Sequence, residues 1–300
     1  MEQKTTDFLI KYRYLLSALV LLLSFYLISG AKNLYFESDY KIFFSDDNEI
    51  LLAHEAHQRE YTKTDTLLFL IRPKGGDVFN AEFLSVLKDL TEEGWDVPFA
   101  IRVDSITNYQ HSWAEGDELI VRDLVDDLDA LDKTELERIR DVALSEKQLF
   151  KRFISRSGDA VAVAVQLDLP EIDLQVSEEE ISAQRVERDN SFAEVVDFGT
   201  EIKHRLEAQY DGMEVHLTGV PIINNTFNSS AINDMTTIVP VMYAVILISL
   251  SILMRSVGAV VGAVVVIGLA TASSLGAAGW IGFALNSINA TTPTIILTIA

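Results

Sequence analysis

Three hundred residues without a cysteine carry a formal net charge of -21, yet the mean hydropathy is +0.20, so charged and oily residues must occupy different parts of the chain. The missing cysteines exclude disulfide frameworks, thiolate metal sites and thiol catalysis, and the acidic balance argues against nucleic acid, whose phosphates demand clustered Lys and Arg. Residues 31–234 hold 20 of the 24 basic and 43 of the 45 acidic residues, whereas 256–300 hold neither, which is the layout of a membrane protein with an acidic water-exposed domain.

Lys11 and Arg13 close a polar segment, 1–13, and precede an uncharged run over 14–30. That run spans about 26 Å at 1.5 Å per residue. Its Leu, Val, Phe and Ile side chains favour insertion, and Tyr14 and Tyr26 suit the interface. A cleaved signal peptide is the rival, with Ser29-Gly30-Ala31 as its cleavage site, but the apolar stretch exceeds a signal core and is flanked by anchoring aromatics.

Within 31–234, Ser45-Asp46-Asp47-Asn48-Glu49 caps a helix reaching Tyr61, and Thr66 to Arg72 reads as a buried strand ended by Pro73-Lys74-Gly75-Gly76. Phe79, Phe83, Val86, Leu87 and Leu90 follow at helical spacing up to Gly94, and Ala100 to Ile106 is a second strand. The segment from Tyr109 to Gly158 is expected as a surface excursion, with a short strand at Leu119 to Val121 and a charged helix from Lys133 to Ser157. Val161, Val163, Val165, Leu167 and Leu169 alternate as a strand, Phe192 to Leu206 forms a helical face, and Glu214 to Thr218 closes the set. The order β-α-β, interruption, β-α-β predicts a ferredoxin-like arrangement, one sheet with both helices on one face. The polar stretch from Thr218-Gly219-Val220-Pro221 to Asp234 is expected to run as a helix into the next span.

The second span is placed at 235–254 and the third at 256–285, with Arg255 alone between them in a tight hairpin. Gly258, Gly262, Gly268 and Gly276 put small residues at helical spacing in the third, and are candidates for close helix packing. Asn286 to Asn289 forms a polar turn, and a fourth span starts over 291–300 with Pro293 at its first helical position, so the chain is expected to be cut inside a helix. Lys4, Lys11, Arg13 and Arg255 fall on one side, which the positive-inside rule makes cytoplasmic, leaving 31–234 outside.

Three segments carry a family resemblance: Ser38-Asp39-Tyr40 through Phe43-Phe44 to Asp65-Thr66-Leu67-Leu68; Val103-Asp104-Ser105-Ile106-Thr107-Asn108; and Leu217-Thr218-Gly219-Val220-Pro221 ahead of Pro240 and Arg255-Ser256. The chain resembles the resistance-nodulation-division (RND) superfamily, in particular its hydrophobe-exporter branch with MMPL-type membrane domains. The resemblance implies an α+β membrane protein: a helical bundle with a ferredoxin-like periplasmic porter domain between spans 1 and 2. It also implies a transporter, not an enzyme, that moves hydrophobic or amphipathic molecules such as lipids and drugs out of a bacterium across the inner membrane, driven by the proton-motive force. Its partners would be that cargo, the lipid bilayer, a second copy in a homo-oligomer and periplasmic accessory proteins, with no cofactor and no nucleic acid. The relay of ionisable residues in such proteins lies in the fourth span; residues 256–300 hold no Asp, Glu, Lys, Arg or His, so the relay is expected beyond Ala300. Two rivals stay open: a Sec-type translocation accessory of the same superfamily, and a non-transporting, sterol-sensing-like receptor.

Other motifs read more plainly. His54 and His57 with Glu60 lack the i, i+4 spacing of a metalloprotease helix and read as a solvated face, with no metal expected. Asp123 to Asp132 reads as an acidic surface, and neither a nucleophile elbow nor a phosphate-binding glycine loop is present.

Overall fold

The computed structural model describes residues 10–35, 44–45, 47–61, 65–172, 176–254, 256–283, 285–286, 292 and 295. Two compact units emerge, one made of 1–42 with 226–300 and the other of 43–225. In chain order the helices and strands are α1 (Arg13–Ile28), α2 (Glu49–Glu60), β1 (Thr66–Arg72), α3 (Ala81–Glu93), β2 (Ala100–Asp104), β3 (Gln110–Glu115), β4 (Glu118–Asp123), α4 (Lys133–Ser145), β5 (Val161–Leu167), α5 (Glu178–Gln209), β6 (Glu214–Gly219), α6 (Val220–Asn233), α7 (Val239–Met254) and α8 (Val257–Trp280).

The apolar unit contains helices that no aqueous protein would leave uncovered. Leu22 is 69 % exposed, Leu253 81 % and Val257 82 %, and so large an oily surface requires lipid against it. Three helices among the described residues are long and apolar enough to cross a membrane: Arg13–Asn33, Val220–Leu253 and Val257–Trp280. The first ends in a 3-10 turn, Ser29–Asn33. The second is α6 and α7 joined through a π-helical turn, Asp234–Ile238, so the polar stretch does continue as helix into the apolar one. Inside that turn Thr236 Oγ1 donates to the carbonyls of Ile232 at 2.8 Å and Asn233 at 3.2 Å, bonding groups whose regular ladder the wider turn disrupts. The third stops at Trp280, short of residue 285. There Gly282, at φ +70°, lets Phe283 N–H reach the Ala278 carbonyl and Gly282 N–H that of Gly279, a Schellman stop. Lys4, Ser38 to Phe43, Asp46, Arg255, most of the turn at 286–289 and Pro293 with most of 291–300 lie outside the described residues.

The second unit is built on a four-stranded antiparallel sheet in the order β2-β5-β1-β6. Period-two alternation fixes its inner face: Leu67, Phe69 and Ile71 of β1 with Val161, Val163, Val165 and Leu167 of β5 are at most 1 % exposed. Both long helices lie on that face. Gly199 of α5 sits where a Cβ would come within 3.2 Å of Leu67, and Gly94 after α3 sits as closely on Val103 and Val165. α3, α4 and α5 begin on side-chain caps, Asn80 for α3, Asp132 for α4 and a Ser177–Glu180 capping box for α5.

The interruption between β2 and β5 differs from the surface excursion expected of it. It forms a separate hairpin, β3–β4, and α4 ends at Ser145 well short of Ser157, because Glu146 turns to extended ψ. Leu124, Ile139, Ala143, Leu149 and Ile154 from this stretch join the core at 0–3 % exposure. Apolar residues at helical spacing had extended the sequence-based helix through Leu149, but Leu149 is buried from a tight turn instead.

Candidate functional site

The outer face of the sheet sets the stage for chemistry. Register puts Arg102, Gln166 and Thr66 in one cross-strand row, Asp104, Ala164, Leu68 and Thr218 in the next, and Ala162, Leu70 and His216 in a third. Small and polar side chains on β5 leave room above it. The segment after α4 folds over that room, and a cavity of about 740 Å³ opens between them, lined by Arg102, Asp104, Tyr109, Gln148, Arg152 and Gln166 among others. The volume falls within the range of small-molecule sites.

Its polar groups are held in place. Arg102 Nε donates to both Asp104 oxygens at 2.8 and 2.9 Å, and that hydrogen bond, reinforced by the carboxylate's charge, raises the guanidinium pKa further. Burial, followed by the nearby Glu146 carboxylate, pushes the Tyr109 phenol up, so it stays a neutral hydrogen-bonding group. The end wall is the turn at 105–108. Asn108 Nδ2 donates to the Val103 carbonyl at 2.7 Å while its Oδ1 accepts from Ser105 N–H at 2.8 Å. Beneath it Thr91, Ser105 and Thr107 are 2–4 % exposed, and their hydroxyl oxygens lie 2.9, 3.0 and 2.6 Å apart. The Val103 to Asn108 segment is therefore a rigid, hydrogen-bonded corner of the cavity wall. Its residues are among those that carry the family resemblance, but the cavity has no such signal; Arg152, Gln148 and Tyr109 escape a reading of the sequence because their roles depend on a loop folding over a distant strand. The available signal was Lys147, Lys151, Arg152 and Arg156 within ten residues of an acidic chain.

In the apolar unit the four candidate glycines separate. A Cβ on Gly276 would come within 2.7 Å of Ile28 Cα on α1, so two backbones touch there; Gly279 meets Gly30 in the same way, with the Gly30 carbonyl carbon at 2.9 Å. Trp280 closes this contact, stacked on Tyr26 with ring centroids 5.4 Å apart and donating Nε1–H to the Tyr26 carbonyl at 3.2 Å. Gly258, Gly262 and Gly268 face open space, with nothing among the described residues within 4 Å of an added Cβ. Between α7 and α8, the Tyr243 hydroxyl lies 3.1 Å from that of Thr271, satisfying two polar groups inside the apolar unit. His57 packs on the ring of Tyr61 at 4.7 Å, and among the described residues no three His, Asp or Glu side chains gather as a metal site.

Residues 100–300, from β2 through α8 and beyond, match the MMPL family. The chain belongs to the MMPL family. It is thereby a member of the RND superfamily and a multi-pass membrane protein of transport type. MMPL membership suggests an RND-type transporter of hydrophobic substrates, and members are transporters rather than enzymes. No curated protein is similar enough to this MMPL chain to count as a match.

Proposed function

We propose that this MMPL chain works in proton-motive-force-driven export of amphipathic or hydrophobic molecules, lipids and drugs among them, across a bacterial inner membrane. In this reading the amino terminus is cytoplasmic and residues 31–234 are a ferredoxin-like periplasmic porter domain, a description supported by the sheet order β2-β5-β1-β6. The observation that carries the reading is the 740 Å³ cavity on the sheet's outer face, a built compartment with fixed hydrogen-bonding groups in a chain that also supplies three apolar helices. Cargo leaving the lipid would rest its polar part against Arg102, Gln148 and Gln166 on its way outward. Periplasmic accessory proteins and a second copy of the chain are its proposed partners. Apart from Arg13 at the mouth of α1, the described parts of α1, α7 and α8 hold no Asp, Glu, Lys, Arg or His, so proton coupling is assigned to none of them.

The test uses cells producing the whole protein and loaded with a fluorescent amphipathic dye. Efflux should accelerate on production and fall to the background rate when a protonophore collapses the gradient. Efflux that persists without the gradient would refute proton coupling, and no acceleration with any amphipathic dye would favour the translocation-accessory or receptor reading.

A further inference from the structure

The loop from Lys147 to Arg156 carries four cations and no acid, in a domain where acids outnumber bases about two to one. Its shape is fixed from below. Leu149 and Ile154 are 1 % and 3 % exposed and anchor it, the amides of Arg152, Phe153 and Ile154 all bond the Leu149 carbonyl, and Lys151 N–H bonds that of Ile154. Lys151 sits at φ +65°, a left-handed conformation that side chains seldom adopt, which turns the chain so that both anchors point inward while the cations stay exposed. Among the described residues no carboxylate forms an ion pair with Lys147, Lys151, Arg152 or Arg156. Asp104 on β2 is engaged by Arg102, and Asp159, just ahead of β5, by Arg72 at 3.3 Å and by Ser155.

Beside this loop lies a second cavity of about 360 Å³. Leu70, Phe153, Ala160 and Ala162 give it an apolar floor, and Lys151, Arg152 and Arg156 stand in its lining. Leu70 is 40 % exposed there, an oily side chain between Ala162 and His216 on the outer sheet face. An apolar floor edged by cations that have no carboxylate partner among the described residues matches one ligand chemistry: an alkyl chain ending in a phosphate or carboxylate. The chain removes the floor from water, and the anion accepts charge-assisted hydrogen bonds that the free loop leaves unmade. Arg152 and Phe153 also wall the 740 Å³ cavity, so the two compartments share a partition.

We propose that this cationic loop and its apolar floor bind the head group and first carbons of an anionic amphiphile, which makes an acidic lipid-like molecule the cargo class; the assignment rests on the export reading above. The test titrates the full chain in maltoside micelles with two fluorescent probes of equal chain length, a labelled dodecyl phosphate and the corresponding labelled dodecanol. Dodecyl phosphate should bind at least tenfold more tightly. Arg152→Gln should weaken the phosphate probe by about tenfold, and the triple variant Lys151→Gln, Arg152→Gln, Arg156→Gln should remove the preference altogether, with dodecanol unaffected in both. Leu70→Gln, on an exposed position, should weaken both probes alike, and Lys133→Gln, on the exposed start of α4, should change neither. Equal affinity of the two probes, or a preference unchanged in the triple variant, would overturn the anion assignment and leave the export reading intact. Inorganic phosphate competing as well as dodecyl phosphate would assign the loop to a free anion and overturn the amphiphile. If neither probe bound while gradient-dependent dye efflux persisted, the cargo class would fall and export would stand.

Discussion

Replacing Gly276 by Ala adds one methyl group where the third apolar helix meets the first, and the backbone there has no room to yield. The built Cβ lies within 2.7 Å of Ile28 Cα, against a comfortable carbon–carbon separation of about 3.5–4.0 Å. The helices must therefore part by roughly 1 Å, and a gap of that size forfeits a quarter to a half of each dispersion contact along the line of approach. Small-to-large changes of this kind cost about 1–3 kcal/mol. Added to this is the weakening of the Tyr26–Trp280 stack and of the Trp280 indole bond to the Tyr26 carbonyl, both set by the same approach. Gly262→Ala is the internal control. Nothing stands within 4 Å of its Cβ, and alanine favours the helix by up to about 1 kcal/mol over glycine. The two variants should thus differ in thermal unfolding in detergent, Gly276→Ala moving down by several degrees and Gly262→Ala unchanged or up, with Trp280 emission altered only in the first. Equal unfolding temperatures for both variants would refute the claim that α1 and α8 are in backbone contact at Gly276.

Thr91→Val keeps the shape of a buried side chain but strips the Ser105 and Thr107 hydroxyls of a partner, and should lower the denaturant stability of the second unit by about 1–3 kcal/mol, read from its Trp fluorescence transition. The Asp159 carboxyl is held below its ordinary pKa by hydrogen bonds from Ser155 and Ser157, then from its own backbone amide, with the charge of Arg72 adding to them. A depressed native value means that its contribution is full above the unfolded pKa of about 3.9 and disappears as pH falls through the lower native value, so wild type should exceed Asp159→Asn in stability at pH 7 and the difference should close in stronger acid; a difference independent of pH would refute the assignment. Because the chain has no native cysteine, Asp123→Cys on the exposed end of β4 gives a clean topology probe, and a membrane-impermeant maleimide should label it from the periplasmic side of spheroplasts; protection there with labelling in inverted vesicles would reverse the proposed orientation.

Much of the fold was legible because its signals were local. The alternation Val161 to Leu167 became β5, the spacing Phe83, Val86, Leu87, Leu90 became the buried stripe of α3, and the uncharged runs became the helices a bilayer would cover. Where the sequence misled, the competing effect was tertiary. Residues 146–157 carry apolar positions that suit a helix, but the chain buries Leu149 and Ile154 from a turn with a left-handed Lys151 in place of about three further helical turns. Helical spacing of glycines likewise says only that a close approach is available; Gly276 has a backbone neighbour and Gly258, Gly262 and Gly268 have none, which depends on where α1 lies. The cavity had no local signature at all, since Arg102, Gln148 and Gln166 come from three separated stretches.

The charge pattern of the second unit has a physical consequence for the proposed anionic ligand. A field set by acids outnumbering bases about two to one repels anions at a distance, yet within roughly one Debye length, about 8 Å at physiological ionic strength, the nearest charges dominate. In the proposed binding mode the run Asp123 to Asp132 and the loop Lys147 to Arg156 act on different ranges: the first would disfavour indiscriminate collection of soluble anions, and the second would offer a short-range minimum to an anion brought close by its alkyl chain. Raising the salt concentration screens the long-range repulsion more than the contact at Arg152, where the ligand displaces water. Binding of dodecyl phosphate should accordingly weaken only slightly, or even strengthen, between low and physiological ionic strength, whereas a purely electrostatic surface association would fall steeply over the same interval.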